Sequence, residues 1–203
     1  MTVEGRKIRT DKKRAIAAPM TAAQYEQIVM LSYLCELPMK TIGEALIIKG
    51  YEKDELIHIF QAHLRRNLTY KTNRFLIGHL DNDAYVLHGK PEKRLSVRLR
   101  TPDYELISQL AYAMDLSVQG AAASVITEAL RHEKWMYDII AQLLRDNLDE
   151  ATNEQIRRLA SQINAKSPHE YITLSMVLGY ALEKAIEEQV KVRIIISGWL
   201  RRI

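Results

Sequence analysis

From Lys93 to Arg100, in KRLSVRLR, apolar and polar side chains alternate strictly, and from Thr101 the apolar spacing becomes three and four. The first pattern predicts a half-buried strand and the second an amphipathic helix. A lone strand would leave its backbone donors and acceptors unpaired, so the pattern demands a partner strand. Sliding the chain against itself supplies one. YEQIVMLSYLCEL (Tyr25–Leu37) falls on YELISQLAYAMDL (Tyr104–Leu116) at an offset of 79 residues, and Tyr25, Glu26, Ile28, Leu31, Tyr33 and Leu37 each meet an identical residue. Upstream, Ile16, Ala18 and Met20 fall on Leu95, Val97 and Leu99. Downstream, PMKTIGEALII falls on SVQGAAASVIT, a second helix after a short turn. Ser117 suits an N-cap and Pro38 the first helical position of the other copy. Each copy therefore reads strand, helix, turn, helix, and the two strands are expected to pair with each other.

The remainder divides around these copies. Residues 1–13 form a basic tail, 14–51 the first copy, 52–90 a connector, 91–131 the second copy and 132–203 a helical C-terminal domain. In the connector, DELIHIFQAHLRRNL has helical spacing, and the stretch from Arg74 to Lys93 ends in turn-rich residues. Three helices are expected in 132–203, with Ser167 and Pro168 opening the second helix of a hairpin. The tail VKVRIIISGWLRRI suits either a strand or a continued helix. Tyr33 and Tyr112 recur on the apolar helix face, which predicts core packing for both.

Charge alters this picture because it is segregated. The net charge is +4, yet residues 101–190 are acidic. Residues 1–20 carry Arg6, Lys7, Arg9, Lys12, Lys13 and Arg14 against Glu4 and Asp11. No acid occurs between Leu56 and Leu80, where Arg65, Arg66, Lys71 and Arg74 lie. Such segregation points to a polyanion-facing surface, although Arg65, Arg66, Lys71 and Arg74 also suit a structural role closing the two copies together. Cys35 is the only cysteine, which excludes an internal disulfide and a cysteine zinc cluster and points to a reducing, cytoplasmic setting. The charged N-terminus does not read as a secretory signal, and the apolar runs are too short to span a bilayer.

The duplicated pattern, LSVRL followed by ELISQLAYAMDLS and a helix containing SVITEAL, resembles the ribbon-helix-helix (Arc/MetJ-type) family of DNA-binding proteins. The likeness covers residues 14–51 and 91–131 and takes the tandem single-chain form of the plasmid-transfer accessory protein TraY. It implies a mainly α protein in which two ribbon-helix-helix units share a two-stranded antiparallel β-ribbon, followed by the helical C-terminal domain. It also implies base contacts in the major groove from the outward residues Arg94, Ser96 and Arg98, where Arg suits guanine and Ser several bases. The corresponding outward positions Ala15 and Ala17 are small, so specificity is expected mostly from the second copy. The resemblance further implies phosphate contacts from the free amides opening each second helix, at Ser117, Val118 and Gln119 and at Met39, Lys40 and Thr41. Arg9, Lys12, Lys13 and Arg14 are expected to follow the DNA backbone without sequence choice.

Catalysis finds no such pattern. His58 and His63 are five apart and diverge on a helix, and H-E-x-x-H, phosphate-cradling glycine loops and serine elbows are absent. HLRR at His63–Arg66 has a His-x-x-Arg spacing known from tyrosine recombinases, without the rest of that site. No enzyme, metal or cofactor is expected. The expected partners are double-stranded DNA and a further copy of the chain through the C-terminal helices, with no membrane. The setting implied is transcription regulation or plasmid transfer, partition or copy control. The rival is an all-helical interaction or scaffold protein, in which Lys93–Arg100 is an extended connector and the basic strips are solvated faces.

Overall fold

A computed structural model describes residues 13–71, 73–166 and 171–201. The chain is mainly helical, 64% helix, with two small antiparallel sheets of two strands each among the described residues. The elements run β1 (Arg14–Met20), α1 (Ala22–Cys35), α2 (Met39–Tyr51), α3 (Asp54–Gln61), β2 (Leu68–Tyr70), β3 (Arg74–Leu76), β4 (Lys93–Leu99), α4 (Thr101–Met114), α5 (Val118–Arg131), α6 (Glu133–Asn147), α7 (Glu150–Lys166), α8 (Leu174–Glu188) and α9 (Val192–Leu200).

Strands β1 and β4 pair antiparallel within this one chain, from Arg14 opposite Leu99 to Met20 opposite Lys93. The register is centred on Ala17 opposite Ser96, two residues that the 79-residue offset superposes. An approximate two-fold axis therefore passes between them. The same offset carries α1 onto α4 at both ends, and α2 onto α5 from the same first residue, α5 running one residue further to Arg131. It also pairs Gly50 with Ala129, and a Cβ at Gly50 would lie 3.7 Å from the Ala129 Cβ, so the axis passes through the α2–α5 crossing too.

The alternation puts Ile16, Ala18, Met20, Leu95, Val97 and Leu99 into the core, each no more than 4% exposed. Helix α2 packs under β4 and α5 under β1. Gly43 lets α2 approach, since a Cβ there would come within 2.5 Å of Leu95 Cδ2 and 2.8 Å of Val97 Cγ1. The offset replaces Gly43 by Ala122 and Val97 by Ala18, so the smaller helix residue stands where the strand residue is larger, keeping the packed volume similar.

Local signals bound the helices. At α1, Thr21 Oγ1 accepts from the Gln24 N–H at 3.2 Å and Gln24 Oε1 from the Thr21 N–H at 3.0 Å, a capping box. In the second run the offset puts Arg100 and Asp103 at these places, and they form an ion pair at 2.8 Å. Ser117 caps α5 as expected, accepting from the Gly120 N–H at 3.0 Å. Pro38 occupies the N-cap position of α2, with Met39 the first helical residue. Helices α1 and α4 end on left-handed residues at equivalent positions, Glu36 (φ 55°) and Asp115 (φ 58°), an uncommon conformation for a side chain larger than glycine.

Elsewhere the fold departs from expectation. The connector is helical only over Asp54–Gln61, and His63 lies beyond that helix. A hairpin, β2–β3, and an irregular segment follow, because Tyr70 and Leu68 bury under the core while Tyr70 Oη donates to the Tyr51 carbonyl at 3.0 Å. Residues 132–203 contain four helices among those described, since Leu148 is extended and breaks α6 from α7. Ser167 and Pro168 lie outside the described residues, and α8 starts at Leu174 with Thr173 as its N-cap. The tail forms a separate helix, α9, after left-handed Gln189. Tyr33 and Tyr112 are not core residues. They are 61% and 66% exposed, because the a/d-like spacing that includes them is wider than the face actually buried. Cys35 is buried and free, and burial pushes its thiol up to about 12, which leaves it a protonated apolar filler.

Candidate nucleic-acid interface

Period two leaves three rows on the outer face of the β1–β4 ribbon: Ala15 beside Arg98, Ala17 beside Ser96, and Pro19 beside Arg94. Arg94, Ser96, Arg98 and Ala15 are exposed, and Ala17 and Pro19 half-buried. Among the described residues the side chains of Arg94, Ser96, Arg98, Lys93 and Lys40 make no hydrogen bond or ion pair. Arg94, Arg98, Lys93 and Lys40 are exposed, and their charges are free to engage an external anion or base edge.

The expected phosphate residues are distributed unevenly. Met39, Lys40 and Thr41 open α2, and Val118 and Gln119 open α5 behind Ser117. Thr41 N–H already donates to the Pro38 carbonyl at 2.8 Å, and Ser117 Oγ is occupied by Gly120. The amides of Met39, Lys40, Val118 and Gln119 have no acceptor among the described residues, as first-turn amides of helices do. Lys13 turns inward to Glu44 at 3.3 Å. Arg14 lies with its guanidinium 4.9 Å from the centre of the Tyr104 ring, against α4. Arg9 and Lys12 lie outside the described residues.

Glu44 was not singled out by its sequence pattern, yet it organises one edge of the ribbon. Its Oε1 accepts from the Arg98 N–H at 3.3 Å, satisfying a donor that the edge strand would leave open. On the opposite edge the offset places Pro19, which has no N–H, and Ala123, which has no acceptor. The paired substitution was visible in the self-alignment, as Arg98 over Pro19 and Glu44 over Ala123.

The other basic strip is committed to the fold. Arg65 and Arg66 bond Asp115 at 3.1 and 2.9 Å, and their amides both donate to the Ala113 carbonyl. Arg66 also lies 4.8 Å from the Tyr112 ring centre. Lys71 and Arg74 bond Asp54 at 2.6 and 3.0 Å. The nearby guanidinium groups hold the Asp115 carboxyl below its ordinary value, and Lys71 does the same for Asp54. On the first run Lys191 repeats the arrangement, bonding Glu36 at 2.7 Å and lying 5.6 Å from the Tyr33 ring centre. Each left-handed acid with its neighbouring tyrosine thus anchors a cation from outside the duplicated runs.

Away from the ribbon, α7, α8 and α9 frame an open apolar groove of about 530 Å³ that includes Leu159, Met176, Tyr180 and Trp199. No group of three or more His, Cys, Asp or Glu among the described residues could hold a metal ion. No described helix is long and apolar enough to cross a membrane. No family model matches the chain, no curated protein matches its sequence, and no solved structure matches its fold.

Proposed function

We propose that this chain is a sequence-specific double-stranded DNA-binding protein that inserts the β1–β4 ribbon into the major groove. The observation that carries the reading is the outer ribbon face, where Arg94, Ser96 and Arg98 stand exposed with no partner for their side chains among the described residues. A two-stranded ribbon fits the major groove, and a free guanidinium there can bond guanine O6 and N7 together. The approximate two-fold through Ala17 and Ser96, with strand, helix and helix repeated on each side, supports a tandem ribbon-helix-helix architecture. The free amides opening α2 and α5, with Lys40 and Lys93, would hold the flanking phosphates.

The biological setting that goes with this reading is a cytoplasmic transcription regulator, or an accessory protein of plasmid transfer, partition or copy control. The protein is not an enzyme on this reading, because the ribbon's chemistry is recognition.

Mobility shift of the full chain on genomic and random duplex fragments over a salt series tests the proposal. Retention of a subset of fragments, weakening steeply with salt, is the expected result. Failure to retain any duplex at low salt overturns it.

A further inference from the structure

The two-fold through the ribbon relates Ala15 to Arg94, Ala17 to Ser96 and Pro19 to Arg98. A reader with true two-fold symmetry would offer the same side chain at both members of each pair, and would therefore select an inverted repeat. Here every side chain able to bond a base edge comes from β4. The β1 positions offer only methyl groups and a proline ring. The edges differ as well, since the Glu44 carboxylate lies along β4 while the offset puts Ala123 beside β1.

The two strands of a ribbon run side by side along the groove, so β4 follows one wall and β1 the other. Arg94 and Arg98 then face the same DNA strand. Four residues of strand advance about 13 Å, which along the winding groove corresponds to about three to four base pairs, since each rises roughly 3.4 Å along the axis alone. The ribbon also closes within a single chain, so no second copy is needed to complete the reader.

We infer that the target is a non-palindromic duplex segment carrying two guanines on one strand, about three to four base pairs apart, bound by one chain in one orientation. The inference rests on the DNA-binding reading above and adds the symmetry, strand and stoichiometry of its ligand. Ser96 and Ala17, at the axis, face the pairs between the two guanines.

The test is selection of the full chain on a duplex library with a randomised core, followed by sequencing of the retained duplexes. Native mass spectrometry on a selected duplex then gives the ratio of chains to duplex. The expected motif is asymmetric, with two guanines on one strand, and one chain bound per site. Arg94→Ala is expected to erase preference at one guanine and Arg98→Ala at the other, each by roughly tenfold to a hundredfold. Both positions are exposed on the ribbon, and thermal melting verifies that the variants fold. An inverted-repeat motif, guanines on opposite strands, or two chains per site overturns this inference while leaving DNA binding intact. Absence of retention, or retention without any enriched motif, overturns the DNA-reading proposal itself.

Discussion

Tyr85 Oη donates to a carboxylate oxygen of Glu128 at 2.5 Å, joining the irregular segment before β4 to the most enclosed helix of the fold. Glu128 is only 2% exposed, and Arg131 at 3.1 Å supplies its charge partner. Helix α5 is buried from Gly120 to Leu130 because β1, α2, α3, α4 and α6 all pack around it. A carboxylate in that position is tolerated only while its bonds are made.

Tyr85→Phe is accordingly expected to lower stability by about 1.5–3 kcal/mol, the range for a hydrogen bond to a charged group. In a chain of this size that corresponds to a fall in Tm of several degrees. Thermal or urea denaturation of both proteins measures it, and an unchanged midpoint would show that the phenol is dispensable.

Gly43 and Val97 should behave as one unit. Gly43→Ala alone drives a Cβ against Leu95 and Val97 and is expected to cost about 1–3 kcal/mol through overpacking. Combining it with Val97→Ala recreates the Ala122 and Ala18 combination of the other run. The pair should then cost less than the sum of the single changes, by about 0.5–3 kcal/mol in a double-mutant cycle. Simple additivity would contradict the matched packing of the two halves.

The Glu44 carboxylate and the Arg98 amide make a separate, local prediction. Glu44→Ala leaves the Arg98 N–H without its acceptor and frees Lys13. Stability should fall by about 1 kcal/mol, and the Arg98 amide should exchange its hydrogen faster than in the parent. Since Pro19 has no amide, the opposite edge has no such donor to lose.

Acid should loosen the attachments of the outer segments before it reaches the core. Asp115 and Asp54 lie below their ordinary value of 3.8, each chiefly through a hydrogen bond from its basic partner, and Glu36 lies below 4.5 chiefly through Lys191. A carboxyl lowered in the folded state stabilises fully above its unfolded value and ceases to do so as pH falls through the folded one. The resulting loss should begin below about pH 5 and deepen towards pH 3. Asp115 and Glu36 are exposed and Asp54 only half-buried, so solvent and salt keep each contribution small. Melting curves across this range should show a shallower decline for Asp115→Asn, which has no carboxyl to protonate there.

On the recognition face, Lys40→Ala and Lys93→Ala should weaken every duplex to a similar extent and each reduce the salt slope by about one. Changes at Arg94 and Arg98 should instead relax sequence choice. Mobility shifts on one selected and one unrelated duplex separate the two classes, and equal behaviour would remove the division between phosphate and base contacts.

Much of the architecture was legible in local periodicity. The period of two over Lys93–Leu99 and the threes and fours after Thr101 report burial on one face, which every residue of an element registers in turn. Duplication strengthened that signal, since two runs with the same spacing announce both the helices and the pairing of the strands. The small outward residues of β1 and the arginines of β4 were likewise readable, because alternation alone assigns them to the exposed face.

What the linear pattern left undecided were bonds between distant residues. Arg65 and Arg66 resemble a DNA-facing strip until Asp115 is brought to them, and Lys191 reaches Glu36 across 155 positions. Tyr33 and Tyr112 share the spacing of a core face but cover its rim, where cations settle over their rings. The sequence by itself determined the strand and helices of the two repeated runs and how the ribbon's faces alternate, because those follow from one repeating choice between water and core. Only the tertiary structure decided which charges remain free, because that depends on which acid each cation meets, and no local period records such a meeting.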